Sequence, residues 1–180
     1  MTYKRYLNFI ILILGIFYSN ISNSENSINF IDINFLLNNS LAGKSIVVQL
    51  KEINATTQKN LKKIEDELKS KEAELNSQKN ILSKEEFKKK MQIFSKEVSE
   101  YNILRNKLIN ENLKKKNKAK KILLNSLTEI LTEYTEKNSI SYVIPKQNIV
   151  LGKAELDITN IILKTLNTKI KKILVIFYLR

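Results

Sequence analysis

The chain of 180 residues contains no cysteine, no histidine and no tryptophan, and only three glycines and one proline. Without cysteine or histidine it can form no disulfide framework, thiol nucleophile, zinc-finger site or imidazole base. Its carboxylates, Asp32 and Asp157 among them, show no paired spacing that assigns acid and base roles. We therefore predict a protein that is not an enzyme and that holds no metal or other cofactor.

The scarcity of glycine and proline also limits the architecture. No residue of either type lies between Lys44 and Ile144, a stretch of 101 residues in which nothing breaks a helix. The chain is long enough for one ordinary domain and too short for two. The composition therefore predicts very long helices within a single unit.

Positive charge is in excess, with 31 Lys+Arg against 18 Asp+Glu and a formal net charge of +13. Such a surplus attracts nucleic acid, anionic lipid or acidic protein, always with screening by salt. The sequence is also rich in Asn, Ile and Lys and has only three arginines, a bias that an A/T-rich genome would produce by itself. Charge alone therefore identifies no partner.

The first 24 residues have the three regions of a secretory signal peptide. A basic start precedes the apolar run Leu7–Tyr18, and residues 19–24 are mainly small and polar. Cleavage is predicted between Ser24 and Glu25. The alternative is an uncleaved membrane anchor, but the apolar run is shorter than the roughly 20 residues that a span needs. Export would separate the chain from chromosomal DNA, so no nucleic-acid partner is expected.

The segment after the signal peptide predicts one buried strand and the start of a helical region. Ile28–Ile33 has β-branched and aromatic residues on both faces of an extended chain. Asn34–Ser40 predicts a short helical turn. Gly43 is then expected to break the chain before a long helix that starts near Ser45.

Two heptad patterns follow, and they meet near residue 83. The first has polar residues at Thr57, Lys71 and Gln78, among the apolar positions Leu50, Leu61, Ile64, Leu68, Leu75 and Leu82. The second consists of Phe87, Met91, Phe94, Val98, Tyr101 and Leu108. Between the two patterns, Ser83 and Glu86 have the spacing of a capping box. We therefore predict a helical hairpin with its tip at residues 80–83 and a second helix over Lys84–Lys137.

The hairpin, residues 45–121, is predicted to be a basic arm. Residues 51–125 contain 20 Lys+Arg and 11 Asp+Glu, so they carry nine of the eleven net positive charges that remain after signal cleavage. The apolar seam weakens over residues 110–121, where only Leu113 and Ala119 are apolar. Two tightly packed helices would not have this gap, so either the arm bends there or its basic residues face an acidic group.

The remaining segments return to a core. A wide apolar helix face begins at Ile122. Ser141–Ile144 and Ile149–Leu151 predict two short strands joined by a turn. Asp157 is placed to cap a final helix over Ile158–Leu166.

Together these segments predict an α+β fold, mostly helical, in which a long antiparallel coiled-coil helical hairpin projects from a small β-containing body. The body comprises residues 25–44 and 122–172. Since a body of this size buries little apolar area, association with other copies would stabilise it. The tail, residues 173–180, contains the apolar run Ile173–Leu179. An added strand, an interfacial anchor and a variant terminus all stay open as its role.

In this order of segments the chain resembles the Skp/OmpH family of periplasmic chaperones over nearly all of its length after residue 24. The most specific motif is Asp157-Ile158-Thr159 followed by an apolar helix, which is similar to the family's closing segment. The resemblance implies a homotrimer in which strands form a central body and helical arms enclose a cavity. It also implies a periplasmic location in a Gram-negative bacterium and ATP-independent binding of unfolded outer-membrane proteins, which prevents their aggregation.

The resemblance also suggests roles for individual residues. The oligomerisation body would contain Ile28, Phe30, Ile31, Ile33, Tyr142, Val143, Ile144, Ile149 and Val150, and Asp157 and Thr159 would start the closing helix. Candidate client-binding residues on the arm are Phe87, Lys88, Lys89, Lys90, Met91, Phe94, Lys114, Lys115 and Lys116. Two plainer interpretations stay open, in which the lysines form a solvated helix face and the apolar residues pack inside the arm.

Other functions fit parts of this pattern. A structural or adaptor coiled-coil protein of the envelope would need a continuous apolar seam, which the polar positions interrupt. A basic nucleic-acid-binding protein would need to stay in the cytoplasm. The family's lipopolysaccharide-binding residues do not align here, so no lipid site is assigned, while an anionic membrane surface stays open as a partner.

Overall fold

The structure is a computed structural model that describes residues 27–175, so the candidate signal peptide and its cleavage site at Ser24 and Glu25 lie outside the described residues. The described elements are β1 (Ser27–Ile31), α1 (Ile33–Asn39), α2 (Leu41–Gln78), α3 (Lys84–Lys137), β2 (Ile140–Pro145) and α4 (Thr159–Lys169). Two short 3-10 helices, Lys146–Asn148 and Ala154–Leu156, connect β2 to α4. The predicted fold class is confirmed. None of the described helices is both long enough and apolar enough to cross a bilayer.

Helices α2 and α3 form the antiparallel arm. At about 1.5 Å per residue, the 38 residues of α2 extend about 57 Å and the 54 residues of α3 about 81 Å. The predicted capping box is present at the start of α3. The Glu86 N–H donates to Ser83 Oγ (3.3 Å), and the Ser83 N–H donates to Glu86 Oε2 (3.1 Å). Both ends of α3 lie at the predicted residues.

Gly43 lies inside α2 and does not break the chain, so the predicted helix start near Ser45 is wrong. The helix begins at Leu41 and is capped by Ser40, whose Oγ accepts a hydrogen bond from the Gly43 N–H (3.0 Å). A Cβ at residue 43 would lie 1.9 Å from the carbonyl oxygen of Leu37 in α1. Glycine is required because α1 and α2 approach each other closely at this position.

The two strands form a parallel sheet, with Ile28 opposite Tyr142 and Phe30 opposite Ile144. Parallel strands need a long connection, and here the connection includes the whole arm. On the other edge of β1, the Ile158 N–H donates to the carbonyl oxygen of Phe30 (3.0 Å). Both edges of β1 therefore form hydrogen bonds to other segments of the same chain.

Two of the strand predictions are wrong. Ile33 begins α1 and is not part of β1, because the Asp32 carboxylate accepts a hydrogen bond from the Phe35 N–H (2.8 Å) and caps the helix. Residues 149–151 form no strand within the described part of the chain. A 3-10 helix follows β2 in place of the predicted turn, and Val150 has no neighbour that shields it from solvent.

The core lies where α1, the root of the arm and α4 meet. Leu36, Ile162 and Leu166 are completely buried. Around them are Ile31, Ala42, Ile46, Ile53, Leu123, Leu127, Ile130 and Ile158. The apolar tail belongs to this core as far as it is described, because Ile173 and Val175 are each only 7% exposed.

Candidate functional site

The seam between α2 and α3 has hydrogen bonds at all three positions where the first heptad pattern is polar. These bonds are Lys71 to both carboxylate oxygens of Glu97 (2.7 and 2.8 Å), Lys90 to Gln78 Oε1 (2.7 Å), and Asn112 Nδ2 to Thr57 Oγ1 (3.1 Å). Polar residues inside a coiled coil specify register at a cost in stability. We infer that these three pairs hold the helices in one register along a seam that stays partly open to water.

The fully buried apolar side chains of the arm lie near its two ends, toward the body and toward the tip. Close to the tip, Leu75 is buried and lines a groove with Phe94 and Gln78. Phe87 and Phe94 are half-buried, whereas Met91 is 40% exposed. The two phenylalanines therefore have part of their surface covered by the arm itself, and Met91 keeps more of its surface in contact with solvent.

The three most exposed isoleucines of the arm are not among the candidate residues that the sequence suggests. Ile81 at the tip, Ile93 and Ile103 have 80, 61 and 66% of their surface exposed. Each lies outside the heptad seam. An apolar residue at such a position faces away from the partner helix, so the heptad pattern could have identified all three as exposed. They are separate apolar contact points on a surface that is otherwise mainly polar.

The two groups of candidate lysines lie far apart on α3. Lys88–Lys90 follow the tip and are exposed, and Lys114–Lys116 lie nearer the body, with only Lys115 half-buried. About 26 residues separate the groups, which corresponds to about 39 Å along a helix. A single chain therefore does not bring them together in one site.

Other arm lysines pair with acids one helical turn away. Lys62 contacts Asp66 and Lys69 contacts Glu65, each at 2.8 Å. Hydrogen bonding to Asp66 raises the pKa of Lys62, and the hydrogen bond from Lys69 lowers the pKa of Glu65. Exposed pairs of this kind contribute little to stability. They do reduce the local positive potential of α2, whereas Lys88–Lys90 form no ion pair with an acid among residues 27–175.

The sheet separates the predicted body residues into buried and exposed classes. Phe30 and Ile31 are buried in the core of the same chain. Ile28 and Tyr142, which lie opposite each other in the sheet, are 47 and 63% exposed. Half-buried positions between these extremes are Ile33, Val143, Ile144 and Ile149.

The loop after β2 adds two exposed apolar side chains. Val150 is completely exposed and Leu151 is 94% exposed. The sequence does not single out Leu151, because its short apolar run predicts a buried strand. Contiguous exposed apolar residues are typical of surfaces that associate. We call Ile28, Tyr142, Val150 and Leu151 the sheet surface.

Asp157 and Thr159 of the closing motif join β1, the loop after β2 and α4. Asp157 Oδ2 accepts a hydrogen bond from Lys146 Nζ (2.6 Å), and its Oδ1 accepts one from the Thr159 N–H (3.0 Å). Thr159 Oγ1 accepts from the Asp32 N–H (2.9 Å). Burial raises the pKa of Asp157, but the hydrogen bonds from Lys146 and Thr159 outweigh it and the net pKa is lowered. The motif therefore fixes the start of α4 against β1.

Comparison with known proteins agrees with this architecture. The model of a family described as outer membrane protein (OmpH-like) matches residues 27–166. The crystal structure of an OmpH-like protein from Caulobacter crescentus CB15, described as a candidate outer membrane chaperone, has a TM-score of 0.77. Its sequence is 16% identical, and the superposition covers 82% of this chain and 88% of that chain. No curated protein matches the sequence. Because the family model spans most of the chain, this protein belongs to the OmpH-like family.

Proposed function

We propose that this protein is an ATP-independent periplasmic holdase that binds unfolded outer-membrane β-barrel proteins and prevents their aggregation. The observation that carries the proposal is the arm itself, which is long, basic and largely exposed. Its isolated apolar side chains, Met91, Ile93 and Ile103, lie among lysines. Membership of the OmpH-like family and the description of the Caulobacter protein support the same function.

The chemistry of the arm suits a client without a fixed sequence. Long-range attraction between lysines and an acidic unfolded chain speeds encounter and is screened by salt. Scattered apolar contacts then hold the client without requiring one sequence motif. Because all of these contacts are noncovalent, release requires no chemical reaction. A rigid apolar groove would select one sequence, whereas the described arm offers separated contact points.

The working assembly in this proposal is a homotrimer that encloses the client between its arms. Support comes from the sheet surface, which exposes four apolar residues in a single chain. The small body gains stability if a second and third copy cover these residues. Association also places several arms around one space, which a single arm cannot enclose.

A light-scattering assay tests the holdase function. A denatured outer-membrane β-barrel protein is diluted into the chain lacking residues 1–24, with the mass of the chaperone measured in parallel by sedimentation. We expect a trimer mass and suppressed scattering without ATP at a molar excess of trimer. Unchanged scattering in the presence of intact trimer would contradict the holdase function and favour an adaptor coiled coil.

Replacing Lys88, Lys89 and Lys90 by glutamine tests the electrostatic part of capture. We expect client affinity to fall roughly fivefold at low salt, because three exposed charges near the tip are lost. The difference should shrink at high salt as the wild type also loses attraction. Affinity is measured by fluorescence anisotropy of a labelled unfolded client.

A matched variant replaces Lys62, Lys63 and Lys69 by glutamine. It removes the same number of charges, but these lysines are paired with acids on α2, so a smaller loss is expected. Equal losses in the two variants would show that only net charge matters and that the lysines near the tip form no preferred site. Loss of the trimer in the first variant would show that the body is misplaced.

A further inference from the structure

Two apolar slots of the same kind lie between α2 and α3. The tip slot has a volume of about 200 Å³ and is lined by Leu75 and Phe94. The middle slot, nearer the body, has a volume of about 240 Å³ and is lined by Leu68 and Tyr101. Every residue that lines the middle slot is seven positions from a residue that lines the tip slot. The two slots therefore occupy the same face of the arm, one heptad apart.

The ion pair between Lys71 and Glu97 separates the two slots. Both residues line both slots, and Lys71 Nζ lies 2.7 Å from Glu97 Oε1. At the other end of the tip slot, Lys90 Nζ donates to Gln78 Oε1 (2.7 Å). The slots are therefore separate recesses and not one continuous apolar groove.

The apolar side chains in both slots are partly open to water. Ile93 in the tip slot is 61% exposed, and Leu104 in the middle slot is 37% exposed. An apolar cavity of about 150 Å³ holds one benzene molecule, so each slot has room for one aromatic side chain. A ring in either slot would meet Phe94 or Tyr101, and aromatic rings attract each other in offset or edge contact.

The charges around the slots are balanced, unlike those of the arm as a whole. Glu67, Glu97 and Glu100 on the rim each pair with a lysine of the arm. Glu74 accepts a hydrogen bond from Gln78 Nε2 (2.9 Å). The slots therefore select an occupant by its apolar surface, and salt should not weaken its binding as it weakens attraction to lysines.

The spacing of the slots fits an unfolded polypeptide. One heptad corresponds to about 10.5 Å along the arm. Unfolded chains often adopt the polyproline II conformation, in which residues i and i+3 lie on one face about 9 Å apart. In a β-strand, side chains on one face are about 7 or 13 Å apart. The slots therefore match two side chains of an unfolded segment more closely than those of a strand.

A helix also has side chains about 10.5 Å apart, at positions i and i+7. However, it carries a further side chain on the same face at i+3 or i+4, which would cover the ion pair between Lys71 and Glu97. Removing water from both charges is costly. In polyproline II the two intervening side chains point away from the slots, so the ion pair stays hydrated. An extended chain therefore fits this face better than a helix does.

We propose that the tip slot and the middle slot bind two aromatic side chains, three residues apart, of an extended unfolded polypeptide. The proposal rests on the holdase function, because it names the part of the client that the arm recognises. It also gives a physical reason for release. When the bound segment becomes a β-strand, its side chains no longer match the spacing of the slots.

Binding of short peptides tests this recognition directly. The protein has no tryptophan, so fluorescence anisotropy of a tryptophan in the peptide has no background from the protein. The blocked peptide Ser-Trp-Ser-Ser-Phe-Ser is titrated with the chain lacking residues 1–24. Replacing its phenylalanine by alanine should weaken binding about tenfold, because the second contact is lost. High salt should leave the affinity of the parent peptide undiminished. Equal affinity of the two peptides, or loss of binding in salt, would overturn the proposal.

Two further peptides test the spacing. One has its aromatic residues at i and i+2, and the other is an alanine-rich helix with them at i and i+7. Both should bind more weakly than the parent peptide. Equal or tighter binding of the first would remove the match to polyproline II, and equal or tighter binding of the second would make a helix the occupant. Either result would overturn the proposal.

A matched pair of variants locates the bound peptide on the arm. Ile93→Ser changes the tip slot, whereas Ile109→Ser changes an isoleucine of α3 that is 47% exposed and lines neither slot. The first should weaken binding of the parent peptide about fivefold, through lost apolar contact, and the second should have no effect. Leu104→Ser makes the same test at the middle slot if Ile93→Ser lowers the helix content by circular dichroism. Equal effects of slot and control variants would overturn the proposal.

The light-scattering assay on the same samples separates this proposal from the holdase function. Suppressed aggregation without a preference among the peptides would overturn the slots and leave the holdase function in place. The expected peptide preferences without suppressed aggregation would support the slots and contradict the holdase function.

Discussion

Replacing Gly43 by alanine is expected to destabilise the protein by about 3 kcal/mol, at the upper end of overpacking penalties. The reason is steric, because the added methyl group would lie 1.9 Å from the carbonyl oxygen of Leu37. That atom is backbone, and it belongs to the turn of α1 that packs on α2, so it cannot move without shifting the helix. Thermal unfolding followed by circular dichroism measures the change.

The sign of this effect makes the test decisive. Alanine is favoured over glycine in a helix interior by about 1 kcal/mol, so helix propensity alone predicts that the variant is more stable. Gly152→Ala is the matched substitution, since its Cβ would meet the Phe30 ring at 3.0 Å, and a side chain can adjust. A more stable Gly43→Ala protein would show that α1 does not lie against α2 as described.

Replacing Asp157 by alanine is expected to cost about 2 to 3 kcal/mol at neutral pH, in the upper part of the range of about 1.5 to 3 kcal/mol for hydrogen bonds to charged groups. The carboxylate is only 21% exposed and contacts Lys146 at 2.6 Å. Without it, Lys146 and the Thr159 N–H lose their acceptor, and the start of α4 is no longer fixed against β1. Urea unfolding at pH 7 measures the difference from the wild type.

The contribution of the Asp157 carboxylate to the free energy of unfolding should disappear in acid. The folded pKa is below the unfolded value, so the carboxylate stabilises the fold fully above the unfolded pKa of about 3.9. This stabilisation is lost as the pH falls through the lower folded pKa. The gap between wild type and Asp157→Ala should therefore narrow progressively below about pH 4.

Glu155→Gln provides the control for this pH dependence. Its partner Lys153 lies at 3.7 Å, and the Glu155 side chain is 72% exposed, so screening by water leaves the pair nearly neutral in energy. We expect no measurable change at any pH. A gap for Asp157→Ala that stays constant down to about pH 2, well below the unfolded pKa, would mean that the carboxylate acts by packing and not by charge.

The arm was predictable because its determinants are local. The absence of glycine and proline, the heptad spacing and the capping box at Ser83 and Glu86 each act within one or two helical turns. The capping box places the start of α3 correctly at Lys84. The closing motif Asp157-Ile158-Thr159 is also a local pattern, and the family that it indicates is confirmed by the match over residues 27–166.

The sequence-based predictions failed where residues distant in the sequence contact each other. Gly43 belongs to a residue type that usually breaks helices, and only the neighbouring Leu37 carbonyl explains why it lies inside α2. The segment 149–151 has strand propensity, but propensity does not provide a partner strand, and none is present in the described chain. The partners of Thr57, Lys71 and Gln78 were likewise not predictable, because a polar residue in a heptad does not reveal what it faces.

The sequence by itself determined that this protein is a basic helical hairpin attached to a small mixed body, and that it resembles the OmpH-like family. Those properties follow from composition and short-range spacing, which need no knowledge of the rest of the chain. The tertiary structure alone decided the parallel pairing of Ile28 with Tyr142, the polar partners across the seam and the hold of Gln49 on the tail. These contacts join residues from different elements, up to 126 positions apart for Gln49 and Val175. Contacts of that kind depend on how the whole chain packs.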